Sequence, residues 1–274
     1  MRHNKEAPPR GVLEVPVANP QRFEHARYHP SPDLERFVEH FWVVRWDLRG
    51  LPAHRAETLP HPSVHMTFGD GVGGRVRGVT RAKFSTLLAG AGGVFAVKFR
   101  PGGFHPFVRG PVSAFTDAVV RLRAVWGVAG DDLEQAVLAL TDVEARMTVV
   151  EDFLRQRNPR PDDRALLAGQ IVDAVAGDRT LLTMDDVARR FGMSPRTLQR
   201  LFAEYVGVNP KWVIGRYRLH EAAEQLLRGA VSQAVLALSL GYADQSHFVK
   251  DFRAAVGTSP AAYARRARRA GVAQ

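Results

Sequence analysis

None of the 274 positions is a cysteine. That absence rules out disulfides, thiolate zinc sites, cysteine nucleophiles and methyl-acceptor chemistry on a thiol. There is also no run of about 18 apolar residues, so no membrane span is expected. The first twenty residues, Met1 to Pro20, carry charges and prolines and no apolar segment. They do not read as a signal peptide, and a cytoplasmic location fits these absences. No nucleophile–base or carboxylate pair can be assembled from the sequence, so the chain is not expected to be an enzyme. No cofactor is implied.

What is present is ordinary for a soluble globular protein: 45% hydrophobic and 24% charged residues. The length suffices for two domains, each with its own core. The formal net charge is +10, which favours a polyanionic partner. Most of the positive charge is arginine, which a GC-rich genome also explains. Residues 165–274 hold 15 Lys/Arg against 9 Asp/Glu, and residues 1–164 hold 23 against 19. The shorter segment therefore carries more of the excess, as a nucleic-acid module should.

Residues 1–30 read as a loose leader with Pro8, Pro9, Pro16, Pro20 and Pro30. Asp33 to Val43 has helical spacing at Leu34, Phe37, Val38 and Phe41, which predicts a helix. Between 42 and 110, apolar runs such as Val64–Phe68 and Val94–Phe99 alternate with Gly and Pro clusters. That pattern predicts short strands in a β-rich sandwich or barrel. From about 112 the spacing turns helical, over Val112–Val125 and Asp131–Arg157. Asp131 and Asp132 suit a helix N-terminus. The polar stretch Arg155–Arg164 holds two prolines and is the best linker. The predicted architecture is α+β. A β-rich domain with a helical tail occupies 1–160, and an all-α domain occupies 165–270.

The strongest signal is an internal repeat. Ser194–Pro210 matches Asp244–Pro260 at an offset of 50, pairing Phe202 with Phe252, Val206 with Val256, Gly207 with Gly257 and Arg200 with Lys250. The helices before them match at an offset of 49, pairing Ala188 with Ala237 and Gly192 with Gly241. The second turn is thus one residue longer. Each copy has helix-turn-helix logic. A short helix presents Val187, Ala188 and Phe191, or Val235 and Leu238, to a core. A glycine ends it, and Ser194 or Asp244 caps the next helix. That helix buries Leu198, Leu201, Phe202 and Tyr205 in the first copy, and Phe248, Phe252 and Val256 in the second.

The outward residues are Arg196, Thr197, Gln199 and Arg200, then Gln245, Ser246, His247, Val249 and Lys250. Arg and Lys donate to guanine O6 and N7, and Gln reads adenine. They sit in the first two turns, which reach base edges in a major groove. One copy alone is equally a solvated surface; two copies with matching caps and cores point to DNA. Between them Asn209 caps a helix from Pro210 to Arg228, with a stripe at Trp212, Val213, Tyr217, Ala222, Leu226 and Leu227. Nineteen residues span roughly 28 Å, close to the ~34 Å between successive major-groove faces. Lys211, Arg216 and Arg218 are phosphate contacts or ordinary surface charge, as are Arg265, Arg266, Arg268 and Arg269.

These motifs resemble the AraC/XylS family of bacterial transcription regulators over residues 165–267. They are Ser-Pro-Arg-Thr-Leu-Gln-Arg-Leu-Phe at 194–202 and Gly-Tyr-Ala-Asp-Gln-Ser-His-Phe-Val-Lys-Asp-Phe-Arg at 241–253. The resemblance implies base reading by Arg196, Gln199, Arg200, Gln245, Ser246, His247, Val249 and Lys250. Ser194, Thr197, Lys211, Arg216 and Arg218 are the corresponding phosphate candidates. Leu59–Phe68 and Val97–Phe107 resemble an uncharacterised N-terminal domain of some of these regulators. In the family a cupin-like β domain there serves effector binding or dimerisation. The expected partners are double-stranded promoter DNA, with RNA polymerase, a small-molecule effector and a second copy as further candidates. A helical scaffold, or an enzyme with a catalytic β domain, is the alternative.

For the first domain, Trp42, Trp46, Phe99, Arg100, Phe104 and Phe107 either line an effector pocket, with Arg100 anchoring an anion, or form the core. His54, His61, His65 and His105 offer metal-ligand types, but no close His-x-His pair with an acid. Ordinary histidines are the expectation, and no metal.

Overall fold

The computed structural model describes residues 11, 13, 22–69, 71–229 and 232–269, with side chains to 266. Most of the expected leader, and the Arg268 and Arg269 side chains, lie outside the described residues.

Among the described residues eight strands come first: β1 (Phe23–Tyr28), β2 (Val38–Asp47), β3 (His54–Thr58), β4 (His65–Gly69), β5 (Gly73–Arg77), β6 (Phe84–Leu88), β7 (Ala91–Phe99) and β8 (Val119–Arg121). Six of them form an antiparallel sheet in the order β1-β2-β7-β4-β5-β8, and β3 with β6 forms a separate two-stranded ribbon. The β-rich half followed by helices is as the sequence predicts.

The helix expected over 33–43 does not form. A 3₁₀ turn covers Pro32–Leu34 and β2 begins at Val38. Six of the ten residues of β2 are Val, Phe or Trp, which prefer a pleated surface. The strand pairs with β1 on one side and β7 on the other. Those ladders override a four-residue helical spacing. Val112–Val125 is likewise no single helix but a 3₁₀ turn, β8 and the start of α1 (Leu122–Trp126).

The remaining helices are α2 (Val128–Leu138), α3 (Val143–Gln156), α4 (Asp163–Gly177), α5 (Met184–Arg190), α6 (Pro195–Tyr205), α7 (Pro210–Arg228), α8 (Gln233–Ser239), α9 (Gln245–Val256) and α10 (Pro260–Arg269). Asp142 caps α3 and Asp162 caps α4, each accepting from backbone amides of the first turn. Residues 157–162 connect α3 to α4, inside the expected linker.

One face of the large sheet is apolar. Phe41, Val43, Met66, Phe68, Val76, Phe95 and Val97 are fully buried there, with Leu122, Leu133, Val137 and Val150 from α1–α3 in the same core. Each such side chain contributes roughly 1.5–3 kcal/mol through burial. This core continues without a break into α4–α7, through Ile171, Val187, Leu198, Phe202 and Val213. A second cluster holds α8–α10 against the far end of α7, around Leu226, Leu236, Phe248, Phe252 and Tyr263.

Candidate nucleic-acid interface

The repeat in the sequence is also a repeat of hydrogen bonds. After α5, Gly192 takes φ +63° and donates to the Arg189 carbonyl, while Met193 donates to Ala188 at 3.0 Å. After α8, Gly241 takes φ +73° and donates to Leu238, while Tyr242 donates to Ala237 at 3.0 Å. Only a residue tolerating the left-handed region closes a helix this way, which is why glycine stands in both turns. Ser194 then caps α6 by accepting from the Thr197 amide at 3.1 Å. Asp244 caps α9 by accepting from the His247 amide at 2.8 Å. A capping box between Thr183 and Asp186 starts α5.

These caps set which face of each second helix is free. On α6, Leu198, Leu201, Phe202 and Tyr205 are buried, and Arg196, Thr197, Gln199 and Arg200 are exposed. The Gln199 amide lies 3.5 Å from the Met184 sulfur, and the Thr197 hydroxyl is 2.9 Å from that of Ser194. On α9, Phe248, Phe252 and Val256 are buried, and Gln245, Ser246, His247 and Lys250 are exposed. Val249 is only half-exposed and packs against the second core. A shallow groove along α9 is lined by Gln245, Ser246, Val249, Lys250, Arg253 and Ala254. Arg253 belongs to that face by its spacing, eight residues after Gln245, and the sequence reading stopped one turn short of it.

α7 connects the two units as expected, capped by Asn209, which accepts from the Trp212 amide at 2.7 Å. Lys211 is exposed at its start. The other two phosphate candidates on α7 are corrected. Arg216 is 4% exposed, donates to the Arg81 carbonyl and stacks 4.6 Å from the Trp212 ring centroid. Burial pushes its guanidinium down to about 10. It ties α7 to the β-rich half and has no surface from which to meet phosphate. Arg218 is half-buried, donates to the Leu182 carbonyl and lies 5.7 Å from the Tyr242 ring. It braces the first unit against the second.

A further correction concerns α8. Val235 and Leu238 were expected inside but are 58% and 66% exposed. Leu236, Ala237 and Leu240 fill the core instead. The three apolar positions 236, 237 and 240 give an alternative helical stripe, and contact with α9 chooses it.

The β-rich half grips the base of the first unit. His105 Nε2 lies 3.0 Å from a Glu204 carboxylate oxygen, and its ring centroid is 4.4 Å from that of Tyr205. The Thr116 hydroxyl donates to the Gly207 carbonyl. All three contacts fall at the C-terminal end of α6, so its N-terminal half stays open.

The expected effector-pocket residues do not converge. Phe99, Phe104 and Phe107 are core, with ring centroids 5.0 Å apart for Phe99–Phe104 and 5.8 Å for Phe99–Phe107. Arg100 is exposed and donates to the Glu35 carbonyl. Trp42 and Trp46 occupy the opposite face of the sheet: Trp42 pairs with Ala96, and Trp46 with Gly92. The histidines are scattered as well. His54 meets Phe23, His61 stacks on His220, and His65 accepts from Trp42. Among the described residues no group of three or more His, Asp or Glu gathers as a metal site.

Comparison with known proteins agrees with this geometry. Residues 187–266 match a family described as a helix-turn-helix domain, and residues 26–121 match a domain of unknown function. The regulatory protein PocR of Salmonella typhimurium is 33% identical over 108 residues, 39% of this chain and 35% of PocR. The HTH-type transcriptional activator AarP of Providencia stuartii is 35% identical over 82 residues, 30% of this chain and 61% of AarP. The C-terminal domain of AraT, a response regulator from Geobacillus stearothermophilus, aligns at 28% identity with a TM-score of 0.33, covering 35% of this chain and 81% of that one. The match spans about a third of PocR and less than two thirds of AarP. The paired units of the C-terminal half are those of a helix-turn-helix domain. The C-terminal domain is similar to the helix-turn-helix domains of these regulators, and a domain of unknown function precedes it.

Proposed function

We propose that this protein is a sequence-specific DNA-binding regulator that acts on promoter DNA in the cytoplasm. The observation that carries the reading is the pair of capped helices, α6 and α9, each with donor side chains on its free N-terminal face. α7 separates the units by a helix of nineteen residues. At roughly 28 Å it holds two reading helices near the spacing of successive major-groove faces. In this reading Arg196, Gln199 and Arg200 supply most base contacts. Gln245, Ser246, His247 and Lys250 supply fewer, and Val249 offers only methyl groups to a thymine. Lys211, Arg265 and Arg266 serve phosphate. Ser194 and Thr197 help through the amides at the α6 N-terminus that they organise.

Activation is the sign of regulation we propose, by likeness to AarP, described as an activator. The β-rich half is assigned an effector-sensing or dimerising role, and RNA polymerase is the further partner activation requires. The scaffold and enzyme readings gain nothing from the comparisons.

The test is operator selection from random DNA with the full chain, followed by footprinting. A footprint over two adjacent major-groove faces is expected. Arg200→Ala should weaken the selected site about 10- to 100-fold and leave scrambled DNA nearly unaffected, the loss of a bidentate base contact. Equal weakening on both DNAs would reduce Arg200 to a phosphate contact.

A further inference from the structure

We infer that Arg218 is a positioning residue: it locks the second helix-turn-helix unit against the first and so fixes the separation between the two half-sites that this protein accepts on DNA. The consequence at the operator rests on the DNA-reading role proposed above. The lock itself is a property of the free chain.

The need for a lock comes from the way α7 is shared. Of its buried apolar residues, Val213 and Ile214 belong to the first core, and Leu219, Ala222, Ala223 and Leu226 belong to the second. Residues 215–218 lie between the two cores. A helix with a separate core at each end sets the distance between the units, and leaves their relative twist to the stiffness of the stretch between. That stretch begins with Gly215, the poorest helix former after proline. A Cβ there would meet no atom within 4 Å, so space does not demand the glycine. Arg216, in the same stretch, is engaged with the Arg81 carbonyl of the β-rich half. Backbone to backbone, the second unit rests on α7 through α10, while α8 and α9 pack on each other.

Arg218 ends this stretch and reaches both units. Its guanidinium donates to the carbonyl of Leu182, the residue before the Thr183 cap of α5. It also lies 5.7 Å from the ring centroid of Tyr242, in the turn between α8 and α9. Burial disfavours its charge, and the groups that offset this are Tyr242, Asp251 on α9 and Asp186 on α5, one carboxylate from each unit. A planar guanidinium donates along its edge and stacks by its face at once, which the point charge of a lysine cannot do.

The Leu182 side chain closes the same seam. A Cβ at Gly241 would lie 2.7 Å from its Cδ1, so the turn of the second unit sits directly on the leucine that leads into the first. From the seam a path runs to the reading face. Tyr242 is buried and meets His247 edge-on, with ring centroids 5.4 Å apart and planes at 90°. Its centroid is also 5.4 Å from that of Phe248. His247 Nε2 is 3.6 Å from Asp251, one turn on. Placing Tyr242 therefore places the first turn of α9, which carries Gln245, Ser246 and His247.

A base pair inserted between half-sites turns the second site by about one tenth of a helical turn and moves it by about 3.4 Å. A locked second unit cannot follow that movement, whereas a unit held by α7 alone can.

Two measurements on the full chain test this, with Arg218→Met, which keeps an apolar stem and removes the donor and the charge. Because the chain has no cysteine, Arg190→Cys on α5 and Ala234→Cys on α8, both exposed, take one spin label each. Without DNA, double electron–electron resonance should give a single narrow distance distribution in the parent. With Arg218→Met it should be about twice as broad or more. The second measurement is binding to the selected operator and to the same operator with one base pair inserted between its half-sites. The insertion should cost the parent about 10-fold or more in affinity, and Arg218→Met less than about 3-fold. A merely stabilising Arg218 would lower the melting temperature and leave the distances and the affinity ratio at the parent's values, which overturns the inference. Should Arg218→Met fail to fold, Leu182→Ala takes its place and is expected to give about half the broadening or more. An unchanged distribution beside a bound operator overturns the lock alone. A broadened distribution with no selected operator upholds the lock and overturns the DNA reading, and with it the spacing consequence.

Discussion

Single side chains in this protein divide by whether water reaches them. Arg200 and Arg216 are the same residue type in one helical domain, yet one is exposed and the other is 4% exposed against a carbonyl. Only the first can meet DNA. His65 shows the same division through its chemistry. Burial first, then the charges of Lys98 and His40, push it down to about 3 from 6.5. A histidine depressed in the fold binds fewer protons folded than unfolded. Its contribution to stability is therefore present above about pH 6.5 and lost as pH falls toward 3. His65→Gln should flatten the fall in melting temperature between pH 6.5 and 4.5. An unchanged slope in that variant would place the acid sensitivity elsewhere. None of this was readable from the sequence, where His65 is one histidine among ten. Its neighbours Lys98 and Arg77 stand 33 and 12 positions away, and only strand pairing brings them alongside.

The elements behave differently, because helices and their ends are local objects. Ser194, Asp244 and Asn209 were each identifiable as caps, and each accepts the amide three residues on. Removing a cap costs about 1 kcal/mol. Ser194→Ala should therefore lower the melting temperature by about 2–4 °C and weaken operator binding, because the first turn of α6 carries Arg196 and Thr197. Asp244→Ala should do the same for α9. If the melts shift but DNA binding does not, the first turn of that helix is not at the interface. The second unit carries a further signature at high pH. Burial raises Tyr242 and Tyr263 to about 12 from 10.0. Their folded forms hold the proton longer, so their contribution is complete below about pH 10 and lost as pH rises toward 12. Tyr263→Phe should reduce the loss of stability between pH 10 and 11.5 in alkaline melts. Strand β2, in contrast, reads as helix at its start. Val38–Asp47 carries a helical spacing at its start, and its β character comes from neighbours on both sides.

At the scale of the molecule, one core runs from the sheet through α1–α3 into α4–α7. The contacts of His105 with Glu204, Thr116 with Gly207, and Arg216 with Arg81 lie on the same boundary. The C-terminal helices are thus partly stabilised by the β-rich half. A fragment of residues 163–269 should melt several degrees below the full chain, because Val112 and the 3₁₀ turn around it no longer cover α6. Equal melting of fragment and chain would show that the boundary contributes nothing to the stability of the first unit.

The sequence by itself determined the doubled helix-turn-helix: its 50-residue offset, its caps, its glycine turns and the exposed donors of α6. Those features depend on residues within one or two turns of each other, and local backbone chemistry is sufficient to specify them. Tertiary structure alone decided that Arg216 is a brace, that Val235 and Leu238 face water, that the phenylalanines around 104 are core, and that basic residues from five strands share one face. Each of those depends on strand register or helix contact across tens to more than a hundred residues. A shift of one residue in a strand would turn its whole set of side chains to the other face.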